Sequence, residues 1–327
     1  MHTQPADHDA RHPYVEVRDL KKYFKVKKSQ GTALLKAVDG VSLVVRKGET
    51  LSIVGESGCG KSTLGRCLAR LLESSAGEIR FNQQDITGLK GHELRALRKK
   101  IQFIFQDPFS SMNPRMRVES ILMEPLRNFN YARKDADRRI AELLKLVSLK
   151  PEALKKYPHE FSGGQRQRIV IARALALEPE FIVCDEPVSA LDVSVQAQVI
   201  NLLTDLQKSL GLTYIFISHD LSVVKHISHR VAVMYLGRVV ETGTRDAIFN
   251  HPRHPYTQAL IAAVPRFADV SGKADAQRLE GEIPSPMNPP SGCAFRTRCP
   301  MAQARCAQET PLLRTIEGEQ QAACHFV

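Results

Sequence analysis

Three short stretches hold residues whose types and spacing suit chemistry on phosphate. The first is Gly55-Glu56-Ser57-Gly58-Cys59-Gly60-Lys61-Ser62, followed by Thr63. Its glycines let successive backbone N–H groups wrap an anion, Lys61 can reach the outer phosphates of a nucleotide, and Ser62 offers a hydroxyl to Mg2+. The second is Asp185-Glu186, which closes the apolar run Phe181–Cys184. A buried strand can deliver Asp185 to a metal at its C-terminal end, and Glu186, one residue on, can polarise a water as a general base. The third is Phe161-Ser162-Gly163-Gly164-Gln165, just ahead of a helical pattern. A serine and two glycines at a helix N-terminus make another phosphate-binding surface. One chain needs a single such surface for its own nucleotide, so a second fits ATP held by a partner subunit.

Each stretch also has a bland reading. A glycine loop can be fortuitous, and an acidic pair after an apolar strand often serves only to solubilise the strand end. Context decides against both. Leu51–Val54 is a short apolar run that leads into the glycine loop, and the residues from Lys61 to Leu72 continue with helical spacing, giving the strand, loop and helix that the motif requires.

The elements that must position these residues follow from the same patterns. Tyr14 to Val45 alternates and is rich in β-branched residues, interrupted by a Lys-rich segment and Gly31, which predicts antiparallel strands joined by a loop. Ile101–Phe105, Phe181–Cys184 and Tyr214–Ile217 read as buried strands, with two more strands ending near Glu241. Helices are expected from Phe161 to about Ala176, and along the stripe Val195, Val199, Leu202, Leu203, Leu206 and Leu210, closed by Gly211. Between Pro108 and His159 the chain is mainly helical, with Ile140, Leu143, Leu144 and Val147 on one face. The fold class expected is α/β: a mostly parallel sheet core with an antiparallel β subdomain, a helical subdomain at about 108–160, and a C-terminal appendage rich in Pro and Cys. The expected boundaries are 1–13 for a polar tail without order, 14–250 for the nucleotide-binding domain and 251–327 for the appendage.

Composition sets the outer limits. With 327 residues and 43% hydrophobic content the chain can bury a substantial core. It contains no signal-peptide pattern and no apolar run of roughly 18 residues, so it is expected in the cytoplasm unless a partner holds it at a membrane. The net charge of +11 suits nucleic acid, an anionic membrane surface or a polyphosphate. The basic run Lys21, Lys22, Lys25, Lys27 and Lys28 beside Tyr23 and Phe24 is read as a solvated face in preference to a nucleic-acid patch.

In the order of these motifs, from about Tyr14 to Glu241, the chain resembles the ATPases of ABC transporters. In that family Phe161–Gln165 is the signature motif, and two cassettes sandwich two ATP molecules head to tail. The signature departs from the common pattern only in starting with Phe161 where Leu is usual. The resemblance implies roles for further residues that are weak taken singly. Gln106 matches the glutamine that touches Mg2+ and relays nucleotide state to the membrane subunit. Ser189-Ala190-Leu191-Asp192 matches the loop that crosses the dimer interface, His219 the histidine that contacts the γ-phosphate, and Tyr23 the aromatic that stacks on adenine, with Phe24 as the alternative.

His251-Pro252-Arg253-His254-Pro255-Tyr256-Thr257 and Gly281–Pro300 resemble the tail of the ATPase subunits of bacterial dipeptide and oligopeptide importers, specifically the second of the two subunits. That resemblance implies a heterodimer with a second homologous ATPase subunit, two transmembrane permease subunits, an extracytoplasmic peptide-binding protein acting indirectly, and no nucleic acid. It places the chain peripherally on the cytoplasmic face of the bacterial inner membrane. Importers of nickel or other solutes share much of the pattern. Cassettes that act on ribosomes usually come two to a chain and those of DNA repair carry a long coiled coil; this sequence has one cassette and no sustained heptads between Gln106 and Phe161. Cys293, Cys299, Cys306 and Cys324 have the spacing C-x5-C-x6-C-x17-C, which lacks the CxxC pairs that favour zinc. The resemblance implies a [4Fe–4S] cluster there, with zinc and uncoordinated thiols as the other readings.

Overall fold

The computed structural model describes residues 13–28, 31–263 and 281–327; the tail expected to lack order lies, save for its last residue, outside them. The chain opens with β1 (Val15–Lys28), β2 (Gly31–Val45) and β3 (Thr50–Val54), then α1 (Lys61–Leu68), β4 (Ala76–Phe81), β5 (Gln84–Asp85) and α2 (Gly91–Lys100). It continues through β6 (Ile101–Ile104), α3 (Val118–Asn128), α4 (Arg133–Leu146), α5 (Gly163–Leu175), β7 (Phe181–Asp185), α6 (Val193–Leu210) and β8 (Thr213–Ile217). The last third holds α7 (Leu221–Ile227), β9 (Arg230–Tyr235), β10 (Arg238–Thr244), α8 (Arg245–Asn250), α9 (Pro255–Ala262), α10 (Ala304–Gln308), β11 (Arg314–Glu317) and β12 (Gln320–Ala322). These elements form two compact units, residues 1–88 with 219–327, and residues 89–218.

In the first unit β1 pairs antiparallel with β2 and β4, and β5 extends β4. The Lys-rich run does not interrupt the strand as expected. It lies inside β1, where three register shifts between Val17 and Tyr23 break the alternation. Beyond Lys21, the last residue of β1 opposite β4, only β2 pairs with the strand, and Lys25 and Lys27 are exposed. A second sheet in this unit runs β11, β12, β10, β9, β3, with β3 parallel to β9 and the others antiparallel. All five residues of β3 are buried, which explains its unbroken apolar run.

The C-terminal region is part of this unit. β12 adds to the edge of β10 in the register Glu241↔Ala322 and Thr242↔Gln321. Tyr256, Ile261 and Phe295 join Val54, Val231, Val233 and Tyr235 in one apolar core, with Tyr235, Tyr256 and Phe295 ring centroids 4.8 to 5.4 Å apart. Such rings bury about 1.5–3 kcal/mol each, and each aromatic pair adds roughly 0.5–1.5 kcal/mol. The polar counterpart is Glu241, fully buried in β10. Its carboxylate accepts from the backbone N–H groups of Arg253 and His254 and from the Gln320 amide, all at 2.8–2.9 Å.

In the second unit β6, β7 and β8 are parallel, with every residue of β7 and β8 buried. Helices α3, α4 and α5 pack together. The stripe expected on α4 faces inward at Ile140, Leu143 and Leu144, and Val147 is buried just past its end. Arg139 ties α4 to α5 by donating to the carbonyl of Leu175 at 2.8 Å. The expected ends of the other elements hold to within a few residues; α1 stops at Leu68 where the pattern suggested Leu72, because Arg70 takes a left-handed conformation with φ 53°.

The buried imidazole of His254 gives the C-terminal region a pH dependence. Its Nδ1 accepts the N–H of Tyr256 at the start of α9, and burial pushes its pKa from 6.5 down to about 4. The folded state favours the neutral ring, so this contribution is complete above pH 6.5 and lost as pH falls toward 4. Linkage makes it worth about 3 kcal/mol. His254→Asn keeps a cap acceptor and removes the titration. Urea unfolding at pH 7 and pH 4 should show wild type losing about 3 kcal/mol more than the variant; equal losses would show that His254 does not titrate on unfolding.

Candidate nucleotide site

Residues 55–60 connect β3 to α1 and close on themselves. Gly55 has φ 149°, and a Cβ there would stand 2.2 Å from the carbonyl oxygen of Met234; Gly60 has φ 105°, and its Cβ would stand 1.9 Å from that of Ala37. Both positions therefore admit only glycine. Lys61, the first residue of α1, is buried, and its ammonium turns back over the loop to donate to the carbonyl oxygens of Gly55 at 2.8 Å and Glu56 at 3.0 Å. Phosphate oxygens are stronger acceptors for that ammonium than neutral carbonyls. Ser57 and Gly58 are exposed at the loop's crest, and Ser62 and Thr63 are half-buried on the first turn of the helix. Cys59 is buried, which pushes its thiol pKa up; it is a filler of the loop's interior and no nucleophile.

Two neighbours of this loop come from the C-terminal region. Arg298 donates through Nη1 to Glu56 Oε2 at 2.7 Å and through Nη2 to Glu56 Oε1 at 2.9 Å, with the arginine side chain only 4% exposed. The backbone N–H of Glu56 donates to the Tyr256 hydroxyl at 2.9 Å. Sequence reasoning quoted both residues within the tail segments and gave neither a role. No local pattern signals an ion pair between residues 242 positions apart.

Also in the first unit, the Tyr23 hydroxyl donates to Asp39 Oδ1, while Asp39 Oδ2 accepts from both Nη2 and Nε of Arg238 at 2.7 and 3.0 Å. Burial, and then the bond to Asp39, push the Tyr23 pKa up to about 12. The ammonium of Lys36 lies 5.9 Å from its ring centroid. Tyr23 is thus held by its hydroxyl, half-buried; its neighbour Phe24 is approached by the Lys22 ammonium at 5.1 Å. His219, with which this unit resumes, is exposed, ahead of Asp220, which caps α7.

In the second unit Asp185 is buried at the C-terminal end of β7, and Glu186 follows with φ 48°, a strained value for a residue with a side chain. Its N–H donates to the carbonyl of Ile217, and its Oε2 accepts from the Gln106 amide at 2.8 Å. Two residues that sequence order placed 80 apart are therefore in contact. Ser162 caps α5 reciprocally with Gln165: its hydroxyl accepts the Gln165 N–H at 3.4 Å, and the Gln165 side chain accepts the Ser162 N–H at 3.2 Å. The glycines after Ser162 have a packing role that the sequence did not reveal. A Cβ on Gly163 would stand 3.0 Å from Leu191, and one on Gly164 would stand 2.4 Å from Val195. The signature helix thus packs directly against the segment holding Ser189, Leu191 and Asp192.

In the first unit the tail cysteines Cys293, Cys299 and Cys324 are half-buried and Cys306 is buried; all are free thiols. Burial, followed by the charge of the neighbouring cysteines, pushes the Cys293 and Cys299 thiols up. Among the described residues no group of three or more His, Cys, Asp or Glu side chains is arranged to hold a metal ion.

These geometries agree with what known proteins show. Residues 38–189 match the ABC transporter family and residues 240–306 match the C-terminal region of oligopeptide/dipeptide transporters. The oligopeptide transport ATP-binding protein OppF of Salmonella typhimurium is 53% identical over 93% of this chain and 94% of its own. The oligopeptide transport ATP-binding protein AppF of Bacillus subtilis is 52% identical over 95% and 97%. The chain belongs to the ABC transporter ATP-binding family. Within that family it is similar in structure to a dimeric ATP-binding cassette bound to ADP and Pi after hydrolysis, with a TM-score of 0.63 and 30% identity over 71% of this chain and 98% of the other. The cassette cbiO1 of Clostridium perfringens, part of an ABC transporter complex, gives a TM-score of 0.63 at 29% identity over 73% of this chain and 91% of the other.

The Glu186 to Gln106 contact makes a direct prediction for this ABC cassette. If Glu186 is the general base, Glu186→Gln, which keeps the shape of the side chain, should lower turnover of ATP by roughly 10²–10⁴-fold while ATP binding persists and the cassette dimer becomes long-lived. Steady-state phosphate release with size-exclusion chromatography in MgATP reads both; near-normal phosphate release would refute the role of Glu186 as base.

Proposed function

We propose that this chain binds and hydrolyses ATP to energise a bacterial oligopeptide importer. The observation that carries the reading is the match, over more than nine-tenths of the chain, to oligopeptide transport ATP-binding proteins, tail included. The domains follow it: 14–250 as the nucleotide-binding domain and 251–327 as the importer-type extension.

In this reading Gly55–Ser62 wraps the phosphates and Lys61 exchanges its two carbonyl acceptors for phosphate oxygens. Ser62, Gln106 and Asp185 are the residues that would hold Mg2+, and the ion would neutralise charge on the phosphates; hard oxygen donors and the buried Asp185 carboxylate suit it. Glu186 accepts the proton of the attacking water, and its bond from Gln106 fixes the carboxylate's orientation. His219 contacts the γ-phosphate, and Tyr23 packs against the base. Ser162, Gly163, Gly164 and Gln165 close over the nucleotide of a partner cassette, with Asp192 at the same interface. Catalysis is then positioning and electrostatics.

The partner cassette is a second, different ATPase subunit, and the pair sits under two permeases on the cytoplasmic face of the membrane. Among the described residues no helix is long and apolar enough to cross a membrane, so permease subunits must supply the path. Phe105 and Phe109, both exposed and flanking Gln106, offer apolar contacts of the sort a permease would cover. We further propose a [4Fe–4S] cluster on Cys293, Cys299, Cys306 and Cys324; the Cys293 N–H donates to the Cys306 carbonyl at 2.7 Å, which brings two of the four together, and the side chains as described would have to rearrange to ligate it.

One preparation tests both proposals. The tagged chain, pulled anaerobically from gently solubilised membranes, should bring two multispanning subunits and a second cassette, with iron and a broad absorbance near ~400 nm. Recovery of only soluble partners would overturn the importer reading; absence of both iron and the absorbance would overturn the cluster alone.

A further inference from the structure

The phosphate loop carries a carboxylate of its own, in the middle of the segment that must receive a polyanion. Glu56 follows Gly55, its carbonyl accepts from Lys61, and its side chain is 22% exposed. An unpaired carboxylate there would repel the phosphates at short range. Instead both its oxygens are taken by Arg298 in a bidentate pair, and the guanidinium lies 5.9 Å from the ring centroid of Tyr235, one of the three rings of the aromatic core. The backbone of the same residue is tied to Tyr256, fully buried in that core. Glu56 is therefore gripped at its N–H and at its carboxylate by residues of the C-terminal region, and its carbonyl helps to orient the phosphate-binding lysine.

We propose that Arg298 and Tyr256 are positioning residues of the nucleotide site: they fix the phosphate loop through Glu56, and Arg298 cancels the charge that Glu56 would otherwise present to ATP. The C-terminal region is thereby a working part of the ATP site as well as a family-specific extension. This inference rests on the ATP-binding reading above. It requires that the loss on removing Arg298 grow with the charge of the nucleotide and vanish when Glu56 is made neutral, neither of which a purely structural role would produce.

The test is fluorescence titration of the full chain with trinitrophenyl-ATP and trinitrophenyl-ADP. Arg298→Ala should raise the Kd for the ATP analogue about tenfold and that for the ADP analogue less. Adding Glu56→Gln to Arg298→Ala should recover most of the loss. Arg298→Gln, which keeps a donor for Glu56 without the charge, carries the same comparison if Arg298→Ala does not fold. ATP affinity within twofold of wild type, equal losses for the two nucleotides, or no recovery with Glu56→Gln would each overturn the proposal. Failure of the wild-type chain to bind either analogue would overturn the ATP-binding reading instead.

Discussion

The constraint on which the nucleotide site depends is the backbone path from β3 to α1. Six residues must turn tightly enough to aim their N–H groups inward, and at both ends of that turn the chain passes within contact distance of another backbone carbonyl. Gly55 against Met234 and Gly60 against Ala37 leave no room for even a methyl group. The neighbouring elements therefore define the loop as much as its own sequence does: β9 supplies Met234, β2 supplies Ala37, and the C-terminal region supplies Arg298 and Tyr256. On that path Lys61 turns back over the loop to the carbonyls of Gly55 and Glu56.

The second unit follows the same economy of small residues and fixed carboxylates. Gly163 and Gly164 let the signature helix lie close to Leu191 and Val195, so movement of one segment must be felt by the other. Glu186 is held in an unfavourable backbone conformation between a buried strand and the Gln106 amide. Strain of this sort, costing about 1–3 kcal/mol, persists where surrounding contacts over-determine it. It orients the carboxylate and links it to Gln106, the residue flanked by exposed phenylalanines.

Legibility in the sequence followed the physics of each feature. Motifs whose meaning lies in a few consecutive residues were plain: the phosphate loop, Asp185-Glu186 and the capping serine Ser162 could be placed on their elements without coordinates. Strands buried on both faces, such as β7 and β8, read clearly as apolar runs. α2 did not, because Leu97 is its one buried residue and no stripe exists to detect. β4 and β5 are short and rich in charge. β11 and β12 lie in the C-terminal appendage, where no strand was expected, and they form because β10 offers an open edge and Glu241 needs the Gln320 amide. The grip of Arg298 on Glu56 and the burial of Gly164 under Val195 depend on residues far apart in the chain, which periodicity cannot report.

The central claim is that this cassette converts ATP hydrolysis into import of oligopeptides. The most direct measurement is uptake of a radiolabelled tetrapeptide by vesicles reconstituted with the whole transporter and its peptide-binding protein, with nucleotide supplied on the cassette side. The account predicts accumulation with ATP and none with a non-hydrolysable analogue, and phosphate release that rises when loaded binding protein is present. Accumulation with the analogue, or hydrolysis that proceeds with no peptide uptake, would contradict it.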